Sequence, residues 1–137
     1  VRVCVVDGQG GGIGSAIIRR LKEEYGERCE VVALGTNAIA TAQMMKAGAN
    51  RGATGENAIR VTSPQADVIV GPIGIILANA MMGEVTSGMA EAICISPAPK
   101  FLLPLTQEPV EIIGVHPEPL PHLVDTMVSQ KIREFIK

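Results

Sequence analysis

The chain has 137 residues, 47% of them apolar but only 2% aromatic, so one domain of ordinary size must build its core from Val, Ile, Leu, Ala and Met. A formal charge of −2, with no basic block and no aromatic platform, argues against nucleic-acid binding. Cys4, Cys29 and Cys94 stand far apart with no C-x-x-C, which predicts reduced thiols rather than disulfides or a metal site. No signal peptide and no apolar stretch of membrane length is seen, so a cytoplasmic protein without membrane contact is expected.

In chain order, Val1–Val6 is apolar throughout and reads as a buried strand. The glycine turn Asp7–Gly14, DGQGGGIG, follows at once. Ile13, Ile17 and Leu21 then recur every four residues, predicting a helix over Ile13–Tyr25 with Gly26 as its C-cap. A second strand, Val31–Leu34, ends in Gly35-Thr36-Asn37, and Asn37 is a good N-cap for a helix reaching Ala47. Residues 47–58 read as a glycine-rich loop carrying Arg51, with a short helix over Glu56–Arg60 for Thr54 to cap.

Asp67–Val70 is a third buried strand, followed by Gly71-Pro72-Ile73-Gly74 and a helix over Ile75–Met82. Thr86 or Ser87 opens another helix, which must stop by Ser96 because Pro97 disfavours the α conformation before it. Lys100–Leu105 is a fourth strand and Val110–Val115 a fifth. The short connection Thr106–Pro109 is too brief for a parallel crossover, so these two are expected to be antiparallel neighbours. Leu123, Met127, Ile132 and Phe135 form the apolar stripe of a C-terminal helix.

These elements predict a single α/β domain over 1–137, a Rossmann-like three-layer sandwich. Its mostly parallel five-stranded sheet has the order 2-1-3-4-5 with an antiparallel edge strand. The crevice at the switch point between strands one and three is the expected site, where loops 7–14, 35–37, 71–74 and 104–109 meet.

A strand, a glycine turn and a helix N-terminus in that order form an anion site, since free N–H groups and the helix dipole favour a phosphate. The expected binding residues are therefore Asp7, Gly8, Gln9, Gly10, Gly11, Gly12, Ile13 and Gly14 in the turn. Gly35, Thr36 and Asn37 join them at the end of strand two, and Gly71, Pro72, Ile73 and Gly74 after strand three. Arg51 would clamp a phosphate from its loop, or stand solvated. Asp7 would orient a ribose, hold Mg²⁺ through water or act as a base; the simpler reading is that its carboxylate shapes the turn. Asn79, Met81, Met82 and Glu84 would line the pocket. Glu108 is the other catalytic candidate, because His116 and His122 emerge at the remote end if strand five is antiparallel.

Gly8, Gly12 and Gly14 fit G-x-x-x-G-x-G, which resembles the nucleotide-binding turn of short-chain dehydrogenases/reductases and implies NAD or NADP. Ala66–Val70 before Gly71-Pro72-Ile73-Gly74 lies where that superfamily has Asn-Asn-Ala-Gly, but the Asn-Asn-Ala is missing. No Tyr-x-x-x-Lys occurs, and Thr36 and Asn37 replace the acid that would grip an adenosine ribose. Over its whole length, through VVDGQGGGIG, ALGTNAIAT, KAGANRGATGENA, VGPIGIILANAMMGE and EPLPHL, the chain is similar to a small family of uncharacterised bacterial proteins. That resemblance implies a Rossmann-like fold and no activity.

The leading expectation is a sensing or regulatory protein that binds a nucleotide or dinucleotide, NAD(P) first, otherwise a mononucleotide or sugar phosphate. A small enzyme with Asp7, Arg51 and Glu108 around a phosphorylated metabolite is the alternative, and a structural subunit the third. A homodimer is expected from the apolar surface of the methionines and the final helix.

Overall fold

The computed structural model describes residues 1–136. Five strands, β1 (Arg2–Asp7), β2 (Glu30–Gly35), β3 (Arg51–Thr54), β4 (Val68–Pro72) and β5 (Lys100–Leu103), form one sheet of order β3-β2-β1-β4-β5. Every pairing is parallel. The expected order and the antiparallel edge are thereby corrected, at both edges of the sheet.

The first correction is β3. Arg51-Gly52-Ala53-Thr54 has no β-branched apolar run and is largely exposed, so no hydrophobic period marks it. It is an edge strand, paired to β2 from Val32↔Arg51 to Gly35↔Thr54. A Cβ on Gly52 would lie 2.8 Å from Met45 Sδ and 2.9 Å from Thr41 Cγ2, so the small residue lets a helix close over the strand.

The second correction is Val110–Val115, which is not a strand. Its N–H of Val110 donates to Glu108 and that of Val115 to Ile112, so the chain turns on itself, and Gly114 has φ 92°. Apolar composition alone did not suffice, because local turn bonds take the place of pairing with β5: Ile113 is 88% exposed.

Helices α1 (Gly12–Tyr25), α2 (Ala38–Lys46), α3 (Glu56–Thr62), α4 (Ser87–Ile95) and α5 (Leu120–Asp125) cover the sheet. Strand residues alternate between two cores. Val3, Val5, Val31, Ala33, Val68 and Val70 face α1, α2 and α5. Cys4, Val6, Val32, Leu34 and Ile69 face α3 and α4, where Ile59, Met89 and Ile93 are buried. A core built mainly of Val, Ile, Leu and Ala suits a sheet covered on both faces.

Helix starts follow the capping expectations in part. Asn37 Oδ1 accepts from Ala40 N–H at 2.9 Å, and Thr86 Oγ1 accepts from Met89 N–H at 3.1 Å. The cap of α3 is Gly55, not Thr54. After α5 the chain continues as a π-helical stretch (Thr126–Lys131) and a short 3-10 turn (Ile132–Phe135). Val124, Met127, Val128 and Ile132 are buried against the α1 face, so the final helix is used by the core. It leaves no free apolar stripe for the expected dimer. Among the described residues, no helix is long and apolar enough to cross a membrane.

Candidate functional site

The turn between β1 and α1 is shaped by one carboxylate. Asp7 Oδ1 accepts from Gly8 N–H at 2.8 Å and Oδ2 from Gly14 N–H at 2.7 Å. Because Gly11, the residue before α1, has no side chain to cap it, Asp7 serves the helix from the end of the strand. Burial pushes the Asp7 carboxyl above its ordinary value, and the Gly14 and Gly8 amides only partly offset this. Shaping the turn, rather than catalysis, is the role its hydrogen bonds display.

The N–H of Gly11 donates to Gly8 O, and that of Gln9 to Glu84 Oε1. Among the described residues, the N–H groups of Gly10 and Gly12 find no protein acceptor. The glycines divide the same way. A Cβ on Gly14 would stand 2.6 Å from Met44 Sδ, one on Gly35 2.1 Å from Thr41 Oγ1, and one on Gly71 2.3 Å from Val6 O. These three are required by packing. Nothing lies within 4 Å of a Cβ on Gly10 or Gly12, so packing asks for no glycine there.

A strap over residues 77–85 replaces most of the helix expected over Ile75–Met82; only a short 3-10 turn forms at Ile73–Ile76. Asn79 (φ 70°), Met81 (φ 58°) and Met82 (φ 58°) are left-handed, as is Gln9 (φ 50°) in the facing turn. Each such non-glycine residue costs on the order of 1 kcal/mol, which an α-helix could not sustain but a well-tied loop can. The ties are explicit. Ala80 and Val85 are buried, Met81 N–H donates to Glu108 Oε1 at 3.0 Å, and Asn79 N–H donates to Val85 O.

Glu84 closes the strap onto the turn. Its Oε1 accepts from Gln9 N–H (2.8 Å), Thr36 Oγ1 (2.8 Å) and Asn37 Nδ2 (2.7 Å). Burial works against the charge, yet these three donors outweigh it and hold the carboxyl below its ordinary value. Thr36 and Asn37 are therefore engaged by the protein itself, and are not open for a sugar or a 2′-phosphate as the sequence suggested.

On the other flank a cleft of about 750 Å³ opens at the carboxyl ends of β1, β4 and β5. Asp7 and residues 8–13 line it together with Pro72, Gly74 and residues 104–108. Asn79, Met81 and the almost fully exposed Met82 form the rim. Gly14, Gly35, Thr36, Asn37, Gly71 and Ile73 do not line it. Neither does Arg51, which begins β3 opposite Val32, at the strand end away from the crevice. The expected arginine clamp is corrected by that register, since the 48–55 segment is tied down as a strand.

Glu108 does line the cleft, but one of its oxygens holds the strap. His116 borders a smaller cavity of about 270 Å³ that shares Pro104, Leu105 and Thr106 with the main cleft. The expected remote position of His116 rested on an antiparallel strand that does not form. The strap was the feature hardest to read, because its one sequence signal, Asn79 with Gly83, also fits an ordinary helix end.

Among curated proteins none matches this chain. One solved structure, described as the crystal structure of a universal stress protein in complex with cAMP, is 20% identical with a TM-score of 0.41. The likeness covers 73% of this chain and 94% of that one. It is too loose to bear on the ligand of this protein. A family model described as a domain of unknown function (DUF3842) matches residues 2–136, and the chain belongs to that family.

Proposed function

We propose that the protein binds a small phosphorylated ligand, a mononucleotide or a sugar phosphate, with its phosphate at the Gly8–Ile13 turn and its remainder along Pro72, Gly74 and residues 104–108. One observation carries this. Among the described residues, the N–H groups of Gly10 and Gly12 have no protein acceptor, both residues are exposed, and they line a 750 Å³ cleft at the N-terminus of α1. Being exposed, these N–H groups are held by water that an anion can displace. The helix dipole adds to the attraction of an anion at this position. The cleft volume also falls within the range of small-molecule sites, about 300–1,000 Å³.

Among the described residues no Lys, Arg or His side chain lines the cleft, so backbone donors and the helix dipole supply the attraction for an anion. The reading is one of binding, which suits a sensing or regulatory role better than turnover. Asp7 is committed to the turn and Glu108 to the strap.

Thermal shift against AMP, ATP, GTP, ribose 5-phosphate, NAD and NADP tests the proposal. A ligand at about 100 times its Kd should stabilise the fold by about 2.7 kcal/mol, and a panel that leaves the melting point unmoved refutes it. A homodimer keeps its support in exposed apolar side chains such as Met82, Ile95 and Ile113, and light scattering at micromolar concentration decides it.

A further inference from the structure

We infer that Glu84 sets the ligand class of this site: by fastening the 77–85 strap across the end of β2, it confines the ligand to one nucleoside or sugar and shuts out a dinucleotide. The inference rests on the phosphate site proposed above and adds which flank of it is open.

A dinucleotide lies across the glycine turn, with its adenosine ribose held at the end of the second strand, about 20 residues beyond the turn. In this chain that place is Gly35–Asn37, at the end of β2. The protein fills it. Glu84 Oε1 gathers the Gln9 N–H, the Thr36 hydroxyl and the Asn37 amide, which are the donors a ribose or its phosphate would use. Asn37 Nδ2 also lies 3.0 Å from Gln9 O, joining the end of β2 directly to the turn.

Space gives the same answer independently. A Cβ placed on Gly8 would lie 2.4 Å from Thr36 Oγ1, 2.6 Å from Met81 Sδ and 3.0 Å from Glu84 Oε1. No sugar fits where a methyl group does not. The open cleft correspondingly includes none of Gly35, Thr36, Asn37 or Glu84 in its wall.

The strap is built as a wall. Val85 and Ala80 are 1% exposed on either side of its tip, and Glu108 Oε1 accepts from Met81 N–H. Displacing it would break several hydrogen bonds at once and expose two buried side chains.

Calorimetric titration of the full chain with AMP and with NAD is the test. The wild type should bind AMP, and NAD at least about tenfold more weakly, since only half of the dinucleotide has a place. Glu84→Ala should narrow that ratio by admitting NAD. Glu84→Gln should keep it, because its amide oxygen still accepts from the same three donors. If Glu84→Ala proves unfolded by circular dichroism, Thr36→Val removes one donor and should narrow the ratio by a smaller step. NAD binding the wild type as tightly as AMP overturns the inference while leaving the phosphate site standing. So does a ratio indifferent to both Glu84→Ala and Thr36→Val. If neither compound nor ribose 5-phosphate binds the wild type, the phosphate site itself is wrong and the inference falls with it.

Discussion

The two flanks of the glycine turn are built from the same kind of material and end in opposite states. Toward β2 the turn is packed shut, with Thr36, Met81 and Glu84 all within 3.0 Å of a Gly8 Cβ position. Toward β4 and β5 it is hollow, with open space beside Gly10 and Gly12. The difference comes from one segment of irregular chain. The strap leaves β4, crosses the turn and spends its carboxylate on donors at the end of β2. A glycine turn is thus no binding site by composition alone. What leaves its amides bare is the absence of a neighbour, and on one side of this protein a neighbour has been supplied.

The sharpest way to break this comparison is to load the filled flank. Gly8→Ala should cost about 1–3 kcal/mol of stability, because Thr36 and Glu84 are held by hydrogen bonds and cannot step aside freely. Urea denaturation measures it, and a midpoint equal to the wild type would mean that the flank is looser than described.

The two carboxylates offer a subtler contrast, through pH. Glu84 has its carboxyl lowered from 4.5, so its contribution is fully present above that value and is lost as pH falls through the lowered one. Asp7 is raised from 3.8, so its contribution is fully present below that value and is lost as pH rises through the raised one. The two oppose each other in the acid range. Denaturation of Glu84→Gln between pH 3 and 6 (roughly the carboxylate range) should show its deficit against the wild type shrinking toward the acid end. A constant deficit would remove the charge from the account.

The smallest structural effect belongs to the hollow flank. Gly10→Ala should stay within about 0.5 kcal/mol of the wild type, since its Cβ meets nothing within 4 Å. Its effect should appear instead in titration with a phosphorylated ligand, where the methyl group stands beside the bare amides. A large loss of stability with intact binding would reverse the assignment of the two flanks.

Much of the frame was legible from residue order. Val3–Val6, Val31–Leu34 and Val68–Val70 are buried apolar runs long enough for strands, and each appears in the sheet. Asn37 and Thr86 announced their helices because a side-chain oxygen can satisfy an orphan N–H locally. The edges were not legible. Arg51–Thr54 becomes a strand by pairing with the outer ladder of β2, whereas Val110–Val115 has the strand composition but turns on itself and leaves the outer edge of β5 unpaired.

The site divides along the same line. Asp7 to Ile13 and the loop at 104–108 were readable as crevice residues, because strand ends and short connections fix where they emerge. Arg51 was misplaced with its strand. The task of Glu84 was invisible, since Gln9, Thr36 and Asn37 lie between 47 and 75 residues away in the chain.

Local chemistry, read from the chain alone, determined the buried strands, the helix caps and a turn whose backbone can grip an anion. The tertiary structure decided which side of that turn stays open. The physical reason is reach: a cap or an apolar run is settled within a few neighbouring residues. Whether an amide remains bare depends on what distant chain comes to lie against it.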